Sequence, residues 1–173
     1  MHDIPEPPQY INIASYADDV TIASTHPKVD VCSEQTQTYL NTFSDGLTLN
    51  RLKVAPSKST ATLMTNYTKE QQHRPLVTLN NTPIPHTHET KILGITYNTS
   101  TTFSPHINNI TNKANIRINT LRALGGTTFG KDKDTLTLVY KQYIRSVLTY
   151  ASPAWAPSLS NTNYKQYKTK HYA

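Results

Sequence analysis

The chain has 173 residues, 17 Lys and Arg against 11 Asp and Glu, a formal net charge of +6 and a pI near 9.4. With 36% hydrophobic residues and a mean hydropathy of −0.55, it has material for a lean core in one domain or two small lobes. Residues 1–8 lack the pattern of a signal peptide, no apolar run nears the roughly 18 residues of a spanning helix, and a single cysteine, Cys32, excludes an intrachain disulfide or a cysteine-built zinc site. An intracellular setting, nuclear or cytoplasmic, without membrane association is the expectation. The basic balance favours polyanions, nucleic acid first and an acidic membrane surface second.

The lead-in holds Pro5, Pro7 and Pro8, which forbid helix there. Tyr10-Ile11-Asn12-Ile13-Ala14-Ser15 and Val20-Thr21-Ile22-Ala23-Ser24 are β-branched and alternating, so each predicts a strand. Tyr16-Ala17-Asp18-Asp19 lies between them with turn residues in place, which predicts a β-hairpin. From residue 30 to 50 the period changes. Val31, Gln35, Tyr39, Phe43 and Leu47, with Leu40 alongside, mark one face of a helix. Asp30 is its expected N-cap, and Gly46 suggests a break near its end.

Ala55-Pro56-Ser57-Lys58-Ser59 predicts a turn and residues 60–65 a further strand. Residues 66–75 are polar and loop-like. Leu76-Val77-Thr78-Leu79, the turn Asn80-Asn81 and Thr82-Pro83-Ile84-Pro85 predict a short hairpin with a proline-bearing edge. Lys91-Ile92-Leu93-Gly94-Ile95-Thr96-Tyr97 predicts one continuous strand, with Gly94 as a bulge or a close backbone approach. His86, His88 and Glu89 sit in a proline-flanked turn without the spacing of a metal site.

Ser104 and Pro105 open a helix as cap and first-turn proline. Its stripe is Ile107, Ile110, Ala114, Ile118, Leu121 and Leu124, and Gly125-Gly126 ends it. A second helix is expected over 132–150, with Leu136, Tyr140, Tyr143, Val147 and Tyr150 as its packed seam. After that, residues 161–173 show no apolar period.

Two adjacent carboxylates at a hairpin tip repel each other. A hard divalent cation removes that repulsion, because Mg²⁺ and Mn²⁺ prefer carboxylate oxygens, and such pairs serve two-metal phosphoryl transfer. The plain alternative is a solvated Asp-Asp turn. Tyr16-Ala17-Asp18-Asp19 with its flanking strands resembles the metal-binding hairpin of reverse transcriptases, in particular those of jockey-like non-LTR retrotransposons. Later segments are similar to that family in order: Leu47-Thr48-Leu49-Asn50 then Ser57-Lys58-Ser59-Thr60, the Leu93-Gly94-Ile95 strand, Phe103-Ser104 with His106-Ile107, and Leu138-Val139-Tyr140-Lys141 through Leu148-Thr149-Tyr150-Ala151 to Trp155. Even Asp3-Ile4-Pro5 resembles the segment leading into the hairpin.

The resemblance implies an α+β chain: the hairpin-containing end of a polymerase palm over 1–98, a helical thumb over 99–157 and a polar tail over 158–173. It implies RNA-directed DNA polymerase ancestry, with Mg²⁺ or Mn²⁺ in the full-length parent and an RNA template, a DNA primer and deoxynucleoside triphosphates as partners. Asp18 and Asp19 would be metal ligands, Asp18 holding both catalytic ions and Asp19 having a lesser role. Tyr16 would lie by the primer terminus, Lys58 toward the nucleotide's phosphates and Gly94 in a primer-gripping strand. Lys113 and Arg117, then Lys141 and Arg145, form basic pairs one turn apart, suited to duplex phosphates or else to a solvated face. The chain departs from the family in lacking the fingers and a carboxylate on an earlier palm strand. It is therefore expected to be inactive, or nearly so, alone, with a non-catalytic nucleic-acid-binding remnant or a non-functional retroelement fragment as the alternative.

Overall fold

A computed structural model describes residues 4–126 and 131–171. Asp3 of the lead-in motif lies outside them. The chain divides into two compact units, Met1–Ile92 and Leu93–Ala173. The division falls within the segment expected to be one strand, and residues 158–173 belong to the second unit.

The first unit opens with the hairpin of β1 (Ile11–Tyr16) and β2 (Asp19–Ser24). Its antiparallel register runs from Ile11 opposite Ser24 to Tyr16 opposite Asp19, so Ala17 and Asp18 alone form the connection. Ala17 has φ +52°, and a left-handed first turn residue is the type II′ arrangement that suits the strands' twist. The inward face of the hairpin carries Ile11, Ile13 and Ile22 onto α1 (Val29–Leu49), where Tyr39, Phe43 and Leu47 receive them. Leu40 turns to a second cluster with Val77 and Leu79. One amphipathic helix thus carries both halves of this core. Each fully buried side chain of that size is worth about 1.5–3 kcal/mol, which offsets the weakness of an isolated two-stranded hairpin.

Several expectations need correction here. The helix begins one residue before Asp30, and Lys28 is its N-cap without a side-chain cap. Asp30 instead lies in the first turn, where a carboxylate still favours the helix dipole. Gly46 does not break the helix, which runs on to Leu49. Residues 60–65 form no strand but only an isolated bridge from Ala61 to His86, since no neighbouring strand offers them a full ladder. β3 (Thr78–Leu79) and β4 (Thr82–Pro83) do pair. Their turn holds Asn80 and Asn81 at φ +50° and +60°, which asparagine tolerates in a type I′ turn. Gln37 of α1 fastens this hairpin, accepting from the Thr78 amide at 2.6 Å and donating to the Thr78 carbonyl at 2.9 Å. The unit ends in β5 (Glu89–Ile92).

The second unit begins at a turn. Leu93 and Gly94 have φ +46° and +88°, so the expected continuous strand is two strands, and Gly94 is a turn residue rather than a bulge. β6 (Ile95–Asn98) follows, then α2 (Ser104–Leu124). Ser104 is the first helical residue, not the cap. Phe103 takes the cap position at φ +55°, and the Asn98 side chain accepts from its amide at 3.1 Å. α3 (Lys133–Val139) is capped by Asp132, which accepts from the Thr135 amide and hydroxyl. Those bonds hold the Asp132 carboxyl below its ordinary range.

The second helix is not regular. Tyr140–Arg145 forms a π-turn that leads into α4 (Ser146–Thr149). This moves the seam. Ile144 and Leu148 are 0% exposed and pack on Ala114 of α2, with Ile118, Leu121 and Tyr140 around them. Tyr143 and Tyr150, expected in the seam, are exposed. The apolar positions 136, 140, 144 and 148 are four apart. Steps of four overshoot a 3.6-residue turn, and the wider i→i+5 turn takes up the excess.

α5 (Ser152–Trp155) follows at Ala151, whose φ is +47°. Trp155 is 0% exposed, donates to the Tyr150 carbonyl at 2.9 Å and joins Ile95, Phe103, Ile107 and Ile110 in the main core. The polar tail contains a helix, α6 (Asn161–His171). It docks on α2 through buried Asn163, which donates to the Thr102 carbonyl at 3.1 Å and the Ser104 hydroxyl at 2.9 Å. Tyr167 meets Trp155 edge-on at 5.4 Å.

Candidate metal-binding hairpin and basic helical face

The tip of the β1–β2 hairpin is fully in solvent. Tyr16 is 67% exposed, and Asp18 and Asp19 are exposed. Asp19 belongs to the last ladder pair, opposite Tyr16, while Asp18 occupies the turn itself. The fold therefore presents two adjacent carboxylates without using either to hold itself together. Their oxygens are hard donors, the type that Mg²⁺ and Mn²⁺ take. By type the donors fit such an ion; by number they fall short. Among the described residues no group of three or more His, Cys, Asp or Glu is gathered to hold one.

Lys58, in the same unit, ends the 3₁₀ turn Pro56–Lys58, whose amide donates to the Ala55 carbonyl at 3.0 Å, and its side chain is exposed. His86 and His88 meet edge-on at 5.0 Å. Burial, with the charges of His88, Arg74 and His73, lowers the His86 pKa and favours its neutral form. Cys32 sits at the foot of the hairpin, its sulfur 2.8 Å from the Ser24 hydroxyl. It thus ties β2 to α1.

Gly94 lies in the second unit. A Cβ added there would stand 3.2 Å from Tyr150 Cε1, and the Tyr150 hydroxyl donates to the Leu93 carbonyl at 2.9 Å. The missing side chain lets that ring close over the turn. Lys113 is exposed on α2, and Lys141 and Arg145 are exposed on the π-turn. Arg117 is differently placed. Its guanidinium lies over the Tyr143 ring, 4.3 Å from the centroid, and donates to the Tyr143 carbonyl. It clasps α2 to the π-turn, a structural duty that the i,i+4 spacing with Lys113 does not reveal.

His106 is 2% exposed and meets Trp155 edge-on at 5.4 Å. Its Nδ1 accepts from the Thr96 amide at 3.3 Å, and its Nε2 is buried without a partner. Burial first, and the nearby Lys113 charge second, lower its pKa. Two further basic residues were missed by sequence reasoning, Lys165 and Lys168, both exposed on α6. The available signal was the complete absence of Asp and Glu after Asp134.

The chain is 27% identical over 139 residues, 80% of its length, to the RNA-directed DNA polymerase from mobile element jockey of Drosophila funebris. It spans 15% of that relative's length. The similarity supports a distant relationship to reverse transcriptases. No family model and no solved structure matches the chain. No helix among the described residues is long and apolar enough to cross a membrane.

Proposed function

We propose that this chain is a piece of an RNA-directed DNA polymerase of a mobile element, an α+β segment comprising the end of a palm and a helical thumb. The observation that carries the reading is the Asp18-Asp19 tip, exposed on a tight hairpin, in a chain similar over 139 residues to such a polymerase. In the parent protein the reaction would be transfer of a deoxynucleotide to a primer 3′-hydroxyl, directed by an RNA template. A bound Mg²⁺ or Mn²⁺ supplies Lewis-acid charge to that chemistry. Asp18 and Asp19 would hold it, with Tyr16 beside the primer terminus and Lys58 toward the nucleotide's phosphates. The Leu93-Gly94 turn would grip the primer. Lys113, Arg117, Lys141 and Arg145 would follow the duplex backbone.

The test is Mn²⁺ titration followed by NMR. Selective broadening of the Ala17 to Val20 amides is expected, and its loss in Asp18→Asn. Uniform broadening along the chain, or broadening unchanged by that substitution, would remove the metal-binding role. A second reading is a duplex-binding remnant without chemistry. It is favoured by the excess of positive charge in Leu93–Ala173.

A further inference from the structure

The end of α1 is closed by the backbone. The Arg51 amide donates to the Thr48 carbonyl at 3.0 Å and the Leu52 amide to the Leu47 carbonyl at 2.9 Å. These two bonds form a Schellman closure, which satisfies carbonyls that a helix end otherwise leaves open. The closure needs a left-handed residue just past the C-cap, a place that Gly or Asn ordinarily fills. Here the residue is Arg51, at φ +58°. Asn50, which would take that conformation with less strain, stands one position earlier as the C-cap. Strained positions of this kind gather where a chain binds something. Cations past a helix C-terminus also complement its dipole. A basic residue within the last turn would do so without strain, and the last turn of α1 has none.

The same closure shapes a cavity of about 550 Å³, a volume within the range of small-molecule pockets. Leu47 and Leu52, the pair that the closure brings together, line it with Val54. This apolar wall is open to solvent at Leu52, which is 56% exposed. Asn80 lines the cavity too. The buried Ser44 hydroxyl donates to the Asn80 side-chain oxygen at 2.7 Å, so what Asn80 has to offer a ligand is its NH2 group, a donor. Arg51 and Lys53 also line the cavity, are exposed, and form no ion pair among the described residues. No Asp or Glu lines it. The positive character is local, since Asp and Glu outnumber Lys and Arg by nine to seven in Met1–Ile92. An apolar wall is thus joined to two uncompensated cations, one of them a guanidinium whose fork matches the two oxygens of a carboxylate.

We propose that this cavity binds a small amphipathic acid, its carboxylate held by Arg51 and Lys53 and its apolar body against Leu47, Leu52 and Val54. None of these residues is a metal, primer or nucleotide contact in the polymerase reading, so the site stands or falls without it.

The experiment is a titration of the full chain with octanoate, followed by methyl-resolved NMR. Saturable shifts centred on the methyls of Leu47, Leu52 and Val54 are expected. Acetate, which lacks the apolar body, and octylammonium, which reverses the charge, should give no saturable shift there. Arg51→Gly removes the guanidinium and suits the left-handed position. Its Kd for octanoate should rise about tenfold, while its stability to urea, read by far-UV circular dichroism, increases. Lys53→Gln, at an exposed position, should raise the Kd as well and leave that stability unchanged. An octanoate affinity unchanged in either variant overturns the proposal, as does the absence of saturable shifts at these methyls. Equal binding of octylammonium makes the cavity an unselective apolar surface, equal binding of acetate makes it a plain anion site, and either result overturns it. If affinity and stability fall together in Arg51→Gly, Arg51 serves the fold and the proposal is overturned.

Discussion

The π-turn gives the sharpest quantitative test of the second unit, because it decides which side chains of residues 136–150 are inside. Ile144→Ala removes three carbon atoms from a position that is 0% exposed. At about 0.8 kcal/mol per methylene the transfer loss alone is about 2.4 kcal/mol, and the residual cavity raises the cost toward about 3–4 kcal/mol. Tyr143→Ala removes a half-exposed ring whose main partner is the Arg117 guanidinium, an interaction worth about 0.5–1 kcal/mol at an exposed site. A regular α-helix with the seam expected from the sequence would reverse the order, since truncating a buried aromatic costs about 3–5 kcal/mol. Urea denaturation measures the difference directly. The chain has one tryptophan, Trp155, and it lies in the core of the second unit, so its fluorescence reports on that core. Total stability for a domain is about 5–15 kcal/mol, so both losses are resolvable. If Tyr143→Ala proves more damaging than Ile144→Ala, the π-turn and the seam built on it are refuted.

His106 sets a pH dependence on the same core. Its folded pKa lies below its ordinary value, so the unfolded chain binds the extra proton first. The stabilisation is complete above about pH 6.5, the unfolded value, and declines as the pH falls through that value toward the folded one. Thermal melts followed by Trp155 at pH 7.5 and 5.5 should show a lower Tm in acid, and His106→Asn, which retains an acceptor for the Thr96 amide, should abolish that part of the difference. Gly94→Ala places a Cβ against the Tyr150 ring at φ +88° and should cost about 1–2 kcal/mol, measured by the same denaturation. Asn163→Ala leaves the Thr102 carbonyl and the Ser104 hydroxyl without their donor. It should cost about 1–3 kcal/mol and increase hydrogen exchange throughout α6. Primer extension on an RNA template with Mg²⁺ or Mn²⁺ should yield no incorporation, because the hairpin lacks further acidic ligands; robust incorporation lost on Asp18→Ala would refute that expectation.

The parts of the fold that a period specifies were legible. Alternation in residues 11–24 gave the hairpin, and its register follows from the two-residue turn. The stripe Tyr39, Leu40 and Phe43 gave α1 and its buried face. The parts that failed have physical reasons. Lys91 to Tyr97 has the β-branched composition of a strand, and only backbone conformation shows that Leu93 shares the left-handed region with Gly94. α6 has almost no amphipathic signal because its inward face is built on Asn163 and Tyr167, a polar anchor and a ring edge. Of the expected seam of the second helix, Tyr140 and Val147 do pack against the core, but Tyr143 and Tyr150 were misplaced because periodicity assumes 3.6 residues per turn throughout. For the candidate site, the sequence located the carboxylates and the basic pairs. It could not show that Arg117 is engaged by Tyr143, which depends on tertiary contact.

The exposed tip of the hairpin has a consequence for how this sequence changes over generations. Asp18 and Asp19 bear no weight in the core, so replacing either should leave folding almost untouched, whereas replacing Ile144 or Trp155 should not. In copies of the chain kept only for their fold, substitutions would accumulate at the two aspartates as freely as at any surface turn. In copies kept for chemistry, those two positions would resist replacement as strongly as the interior. The substitution rate at residues 18 and 19 relative to that at 144 and 155 across such copies therefore records which property selection has acted on.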